Sequence, residues 1–288
     1  MDFGSYLPLL LPLIAVPLVL LAGRRLHPAA ATWLTATSAV VLTLGAALSL
    51  ALFTIAGLTG LSTVVNRPVD TIAAALLCAI CAAAIVATVR RVAALRAARL
   101  VAAHGGELVV VRQDRPIAHA VPGRPGRIVV STGMLAGLTP GERRALLAHE
   151  RAHLRCSHHL FVAVVDVFAA ANPLLRPLRG TVRYTTERWA DEVAARTVGS
   201  RSVVARAVGK AALATKDAAT RHPIVLAAAA GEVPSRVAAL LATPPAQRLR
   251  PVLASPTSLI ALVAVALAVT SIGCGIEATG DLLAAGLR

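Results

Sequence analysis

The chain has 288 residues, of which 57% are hydrophobic and only 15% are charged. This composition is too apolar for an average soluble enzyme and predicts membrane-spanning segments. The formal net charge of +15 favours contact with the anionic head groups of a lipid bilayer, whereas an aromatic content of 3% and the lack of a recognition motif argue against nucleic-acid binding.

Three apolar blocks near the N-terminus predict three transmembrane helices, at about residues 6–23, 33–58 and 71–89. The first block is uncharged, no basic region precedes it, and Arg24 and Arg25 follow it, which is the reverse of the order in a cleaved signal peptide. If each block crosses once, these arginines lie on the same side as the basic residues at 90–99. The positive-inside rule makes that side cytoplasmic, so the N-terminus is expected outside.

Residues 90–256 form the only section of ordinary globular composition, and we predict a cytoplasmic domain of mixed α and β structure there. Three runs of β-forming residues are expected to be strands, at 107–112, 116–121 and 127–131. The segment 122–126, Pro-Gly-Arg-Pro-Gly, is typical of a turn and connects the last two runs as a hairpin.

A helix is predicted to begin just after this hairpin region, at Thr139 and Pro140. Thr139 is a favourable N-cap residue, and Pro140 suits the first position of a helix. Glu142, three residues after Thr139, completes the pattern of a capping box. The helix that follows carries the central motif of the chain.

That motif is His149-Glu150-Arg151-Ala152-His153, the pattern H-E-x-x-H. His149 and His153 lie on one helical face and can bind a single ion, while Glu150 beside them can accept a proton from a metal-bound water. A zinc site with an open position needs a third ligand, for which Glu187 is the best candidate. Asp191, one turn after Glu187, is expected to accept the N–H of a ligating histidine. The pattern therefore predicts one Zn²⁺ per chain, although H-E-x-x-H also occurs by chance in amphipathic helices.

Two further histidines, His158 and His159, follow the motif closely. They could be additional ligands or could orient a ligand. Neither continues the helical face that His149 and His153 share, so a ligand role is not expected for them.

The apolar stretch Leu160 to Leu175 could be counted as another span, but it is short, contains Asp166 and is interrupted by Asn172 and Pro173. If this stretch crossed the membrane, Glu187 would lie on the opposite side from the two motif histidines. We therefore predict a buried or membrane-skimming helix, with Asn172 as the cap of the next helix and Pro173 at its first position.

A fourth transmembrane helix is predicted from residue 257 to about 275, followed by a short external tail to residue 288. The fold class expected from the whole sequence is a mainly α membrane protein with four transmembrane helices and an α+β cytoplasmic zinc domain. Both termini are expected outside a multi-pass plasma membrane protein.

Several segments resemble integral-membrane zinc peptidases, namely residues 129–135 (Val-Val-Ser-Thr-Gly-Met-Leu), 149–153, 172–173 and 187–191. The chain is similar to the BlaR/MecR-type regulators and, more distantly, to the HtpX and CAAX-protease group, which are gluzincin-type metalloendopeptidases. BlaR-type proteins often carry Cys at the position of Ala190 and HtpX-type proteins carry Ala there. The predicted arrangement of spans favours the BlaR/MecR type. Because the chain ends soon after the predicted fourth span, we expect no external penicillin-binding domain and no β-lactam sensing by that route.

The resemblance implies that the substrates are proteins or peptides, such as a repressor of the BlaI type or the chain itself in an activating self-cleavage. It also implies an edge strand ahead of the zinc helix that pairs with an extended substrate, for which Ile128 to Ser131 is the candidate, with a plain structural hairpin as the alternative. The alternatives for function are an HtpX-like protease for membrane-protein quality control and a catalytically silent membrane sensor or scaffold. A homodimer is left open.

Overall fold

A computed structural model of the chain describes residues 7–59, 67–101, 106–219 and 232–244. Two compact units are present. The first contains the chain up to Arg90 together with Phe161–Val182, and the second contains Arg91–Leu160 and Arg183–Ala246. The predicted boundaries of the domains at residues 89/90 and 256/257 stay a prediction.

Helices dominate the described residues, which confirms the prediction of a mainly α protein. The α-helices are α1 (Leu7–Gly23), α2 (Pro28–Thr59), α3 (Arg67–Val101), α4 (Thr132–Ala136), α5 (Pro140–Arg155), α6 (His158–Ala171), α7 (Leu178–Val198), α8 (Arg201–Ala219) and α9 (Glu232–Leu241). A short 3-10 helix, Pro173–Leu175, lies between α6 and α7.

Two of the described helices are long and apolar enough to cross a membrane, Pro28–Ile55 within α2 and Thr71–Leu100 within α3. The number rises to three if the bent pair α5 and α6 is counted as one span. The remaining N-terminal helix, at Pro8–Gly23, is apolar but shorter. These helices are compatible with a membrane protein, while four spans stay a prediction, and the predicted fourth span lies outside the described residues.

The second and third predicted spans have different bounds in the structure. Helix α2 begins at Pro28 rather than at about residue 33, and α3 continues beyond Arg90 to Val101. The segment from Thr71 to Val101 contains no Gly or Pro and is rich in Ala, Leu and Arg, so nothing in it ends the helix. The predicted third span and the basic segment that follows it are therefore one continuous helix.

The core of the first unit lies between α1, α2 and the chain around the 3-10 helix. Small side chains permit a close approach of the helices, because Ala15 in α1 and Ala39 in α2 are both almost fully buried within this core. Trp33 of α2 and Phe161 of α6 meet edge to face, with ring centroids 4.8 Å apart. Asn172 ends α6, and its side chain accepts a hydrogen bond from the N–H of Leu174, which confirms the predicted break and cap.

The second unit contains a sheet of three strands, β1 (Leu108–Val111), β2 (Ala118–Val121) and β3 (Arg127–Ser131), in the order β1-β3-β2. Strands β2 and β3 form the predicted antiparallel hairpin, and β1 pairs in parallel with the other side of β3. The prediction that Ile128 to Ser131 is an edge strand is therefore wrong. The order of strands along the chain does not reveal which side of a hairpin a third strand will join, and here β1 takes the side of β3 that the hairpin leaves unpaired.

Strand β3 leads directly into α4 through a tightly packed junction. The hydroxyl of Ser131 accepts hydrogen bonds from the N–H of Met134, as an N-cap, and from the N–H of Ile117. At Gly133, an added Cβ would lie only 2.0 Å from the backbone oxygen of Asp114. A side chain at this position would therefore displace the loop that precedes β2.

Helix α5 begins as predicted, since Thr139 and Glu142 form a capping box with both hydrogen bonds present. The Glu142 carboxylate is buried and also contacts Lys210 Nζ of α8 at 2.8 Å. At the other end of the unit, α7 stops at Val198 because Gly199 adopts a left-handed φ of +73°. The backbone around the motif helix is thus fixed by local signals and by helix α8.

Candidate metal centre

Helices α5 and α7 bring the two motif histidines and Glu187 to one place. The Nε2 atoms of His149 and His153 are 3.1 Å apart; His149 Nε2 lies 3.3 Å from Glu187 Oε2, and His153 Nε2 lies 3.3 Å from Glu187 Oε1. Zinc bonds of 2.0–2.1 Å at tetrahedral angles separate neighbouring donor atoms by about 3.3 Å. The three side chains supply the donor set of a zinc site, and among the described residues they can each offer one ligand atom within 4.8 Å of the other two.

Asp191 lies on the far side of His149 from this convergence. Its Oδ1 is 3.0 Å from His149 Nδ1, and its side chain is completely buried. The contact is an ion pair rather than a well-aligned hydrogen bond, but it favours a proton on Nδ1 and so leaves Nε2, on the side of Glu187 and His153, as the atom that a metal would bind. The structure thus places Asp191 where the sequence predicted a group that orients a ligand.

His158 lies next to Nδ1 of His153, as Asp191 lies next to Nδ1 of His149. Its Nδ1 lies 3.1 Å from His153 Nδ1, and its ring packs 4.8 Å from the ring of Trp189. The helical i, i+4 spacing did not predict this contact, because the helix does not continue to His158. Helix α5 ends at Arg155, and Ser157 adopts a left-handed φ of 52°. That turn brings His158 back beside the end of the helix it has just left.

The side chain of Glu150 extends from α5 towards strand β2 of the sheet. Its side chain is buried, and its carboxylate accepts a hydrogen bond from the backbone N–H of Ala120 in β2. Burial raises the pKa of Glu150, which is the direction expected for a group that must exchange protons near neutral pH.

Arg236 in α9 is a residue of the site that the sequence analysis missed. Its Nε and Nη2 donate to the two oxygens of Asp191, both at 2.8 Å, and its Nη1 lies 2.9 Å from Glu187 Oε2. One arginine in a chain with 29 Lys and Arg residues carries no spacing signal that separates it from the others.

The charges of the cluster are strongly coupled. Burial alone would lower the pKa of His149, but Asp191 and Glu187 outweigh it and raise the pKa to about 10. Burial and the charge of His149 lower the pKa of His153 to about 4. Although burial opposes it, the bonds to His149 and Arg236 lower the pKa values of Glu187 and Asp191, so both carboxylates stay ionised. A divalent metal bound here would replace the proton of His149.

Comparison with known families gives one match. Residues 80–171 match the family model Peptidase family M48, whose peptidases are zinc-dependent. No curated protein and no solved structure matched the chain. The matched segment covers about a third of the chain and includes His149, Glu150 and His153 but not Glu187, Asp191 or Arg236. The match and the His/His/Glu cluster together support a metallopeptidase of family M48.

Proposed function

We propose that the chain is a membrane-embedded zinc metalloendopeptidase that hydrolyses peptide bonds in cytoplasmic or membrane proteins. The observation that carries the proposal is the convergence of His149 Nε2, His153 Nε2 and the Glu187 carboxylate at separations of 3.1–3.3 Å. Three protein ligands leave a fourth position open, which distinguishes catalytic zinc sites from closed structural ones.

Each residue has a defined task in peptide hydrolysis. A bound zinc ion supplies a Lewis acid that lowers the pKa of water to near neutrality. Glu150 accepts the proton of the water whose oxygen attacks the scissile carbonyl carbon, and it returns that proton to the amine nitrogen as the C–N bond breaks. Asp191 keeps His149 in the tautomer and orientation that expose Nε2 to the metal.

The edge of β2 is suited to hold an extended substrate. Ser131 donates its N–H to Ile117 O at 2.9 Å, so the alternating pattern of an antiparallel pair directs the backbone groups of His119 towards β3. The N–H and C=O groups of Ala118 and Ala120 then point away from β3. Because the Ala120 N–H already donates to Glu150, a peptide would pair with the Ala118 groups and the Ala120 C=O and would lie next to the proposed base.

A regulatory role is the favoured biological setting, with cleavage of a BlaI-type repressor or of the chain itself. The long apolar helix of the third predicted span ends among the basic residues Arg90, Arg91, Arg96 and Arg99, which supports a cytoplasmic position for the catalytic unit and external termini. Ala190, fully buried in α7, keeps the HtpX-like quality-control protease as a second candidate, since BlaR-type proteins often carry Cys at that position.

The test compares the wild type with Glu150→Gln in membranes. Both are expected to bind one zinc per chain, and only the wild type is expected to release peptide fragments of itself or of host proteins in mass spectrometry. Glu107→Gln is the matched control, because it removes an exposed carboxylate of the same unit that pairs with Arg151 outside the site. One or two cleaved targets would favour a regulator and many would favour quality control. Zinc binding without any difference in fragments would favour a silent scaffold, and a wild type without zinc would contradict the proposed site.

A further inference from the structure

The guanidinium group of Arg236 joins the two carboxylates of α7 that serve the metal centre. It contacts both oxygens of Asp191 at 2.8 Å through Nε and Nη2, and it contacts Glu187 Oε2 at 2.9 Å through Nη1. The Arg236 side chain is only 12% exposed, so these contacts are made largely out of water. One planar group therefore fixes the positions of two acidic side chains that are one helical turn apart.

Only arginine can make this set of contacts. Its five N–H donors lie in one rigid plane and can engage a carboxylate in a two-pronged contact while a third nitrogen reaches another acceptor. The ammonium of a lysine is a point charge with no fixed fork, and it would contact one carboxylate at the expense of the other. The geometry thus depends on the shape of the group as well as on its charge.

We propose that Arg236 is a positioning residue of the metal centre, which holds Glu187 to coordination through one oxygen and holds Asp191 against His149. The inference rests on the proposed metallopeptidase function. Oε2 is engaged by Arg236 and lies 3.3 Å from His149 Nε2, so the Glu187 carboxylate would offer Oε1, which lies 3.3 Å from His153 Nε2, to a metal and would leave a coordination position for water. A carboxylate free to bind through both oxygens would occupy that position.

Helix α9 is held in place independently of the site, which makes the proposal testable. Arg201 of α8 donates to the backbone oxygens of Ala239 at 2.7 Å and Leu240 at 2.9 Å, and it also pairs with Glu192 of α7. These contacts anchor the C-terminal end of α9, whereas Arg236 contacts the metal centre. A substitution of Arg201 therefore loosens α9 without removing a contact to Glu187 or Asp191.

The experiment measures metal binding by full-length protein in detergent. Arg236→Lys is expected to weaken zinc affinity about 10- to 100-fold, the usual range when a group that orients a ligand is lost. In the cobalt-substituted protein, the strong visible absorption of a four-coordinate site is expected to weaken as Glu187 becomes free to bind through both oxygens. Arg201→Lys is expected to lower the melting temperature but to leave zinc affinity and the cobalt spectrum unchanged.

A second variant covers the case in which the lysine substitution disturbs folding. Arg236→Ala is expected to bind zinc weakly and to recover affinity when methylguanidinium is added, because this ion can occupy the space of the missing group. Methylammonium, of the same charge, is expected to restore much less affinity. Recovery specific to the guanidinium requires an intact fold around the site.

The outcomes separate this inference from the proposed function. Unchanged zinc affinity and cobalt spectrum in Arg236→Lys, or equal losses in Arg201→Lys, would overturn the role of Arg236 and leave the metallopeptidase proposal standing. Specific loss in Arg236→Lys without any peptidase activity of the wild type would support the role of Arg236 and count against the peptidase. A wild type that binds neither zinc nor cobalt would overturn both.

Discussion

Two clusters of acidic side chains in the second unit differ in a way that separates the candidate metal site from a structural cluster. In the metal cluster, Glu187 and Asp191 share Arg236 and lie beside two imidazoles whose Nε2 atoms converge. In the helix-start cluster, Glu142 is buried, as Asp191 is, but contacts Lys210, Arg206 and the backbone of Thr139.

Both clusters pair buried acids with basic side chains, so burial and ion pairing do not by themselves identify a site. In the metal cluster, the possible ligand atoms of His149, His153 and Glu187 lie close together, and Asp191 and Arg236 hold two of these side chains in place. In the helix-start cluster, the Glu142 oxygens are already engaged by cations of α8 and by the backbone N–H of Thr139, the N-cap of the same helix. Substitutions should therefore affect metal binding in one cluster and only folding in the other.

Asp191→Asn is expected to produce the largest effect, because it damages metal binding and folding together. Zinc affinity should fall by about 100-fold, since an amide can present its NH₂ to His149 and lose the preferred tautomer. The free energy of unfolding of the metal-free protein should fall by about 3 kcal/mol, because the buried charge of Arg236 loses its two-pronged partner and keeps only the contact with Glu187. Isothermal titration with zinc and denaturant unfolding measure the two effects. Loss of stability alone would show that Asp191 belongs with the structural cluster.

His158→Leu tests the weaker support of the metal cluster. His153 loses the acceptor of its Nδ1–H, which lies 3.1 Å from His158 Nδ1. Zinc affinity is expected to fall about tenfold, which is less than for Asp191→Asn because a neutral imidazole holds its partner less strongly than a carboxylate does. His159→Gln, at the adjacent histidine, is the matched control. An effect of His159→Gln as large as that of His158→Leu would refute the specific role.

Glu142→Gln is the corresponding substitution in the helix-start cluster. It removes the charge that contacts Lys210 at 2.8 Å but keeps an oxygen for the N–H of Thr139. The free energy of unfolding is expected to fall by about 1 kcal/mol, because Lys210 is partly exposed and solvent screens the pair. Zinc affinity should remain that of the wild type. A changed zinc affinity would break the distinction between the two clusters.

The pH dependence of this difference is the smallest expected effect. The contact with Lys210 lowers the pKa of Glu142 from 4.5 to about 2. A lowered folded-state pKa contributes stability above the unfolded value, and this contribution is lost as the pH falls from about 4.5 towards 2. The gap in unfolding free energy between the wild type and Glu142→Gln should therefore be complete at pH 6 and smaller at pH 3. A gap that stays constant between these two pH values would contradict the assignment.

Local sequence rules predicted the start and the helical spacing of the motif helix α5. The capping box of Thr139 and Glu142 and the helical spacing of His149 and His153 depend on backbone geometry within one helix, so they follow from residue types alone. The end of α7 before Gly199 was predictable for the same reason, since glycine favours the left-handed conformation found there.

The features that sequence rules missed depend on contacts between elements. Arg236 reaches the metal cluster because α9 packs in the second unit, and no periodicity links it to Glu187. His158 depends on a turn at Ser157, a residue type that seldom adopts positive φ. The central position of β3 depends on which side of the hairpin β1 joins, which alternation of residue types does not specify.

The most direct test of the account is X-ray absorption at the zinc edge of the zinc-loaded protein. Two imidazole nitrogens and a carboxylate oxygen, with a fourth light ligand, are expected at about 2.0–2.1 Å. Glu187→Gln should lose stoichiometric zinc, while Glu107→Gln should give the wild-type spectrum. A site with one imidazole, a sulfur ligand such as Cys156, or six coordinated oxygens would contradict a catalytic centre built from His149, His153 and Glu187.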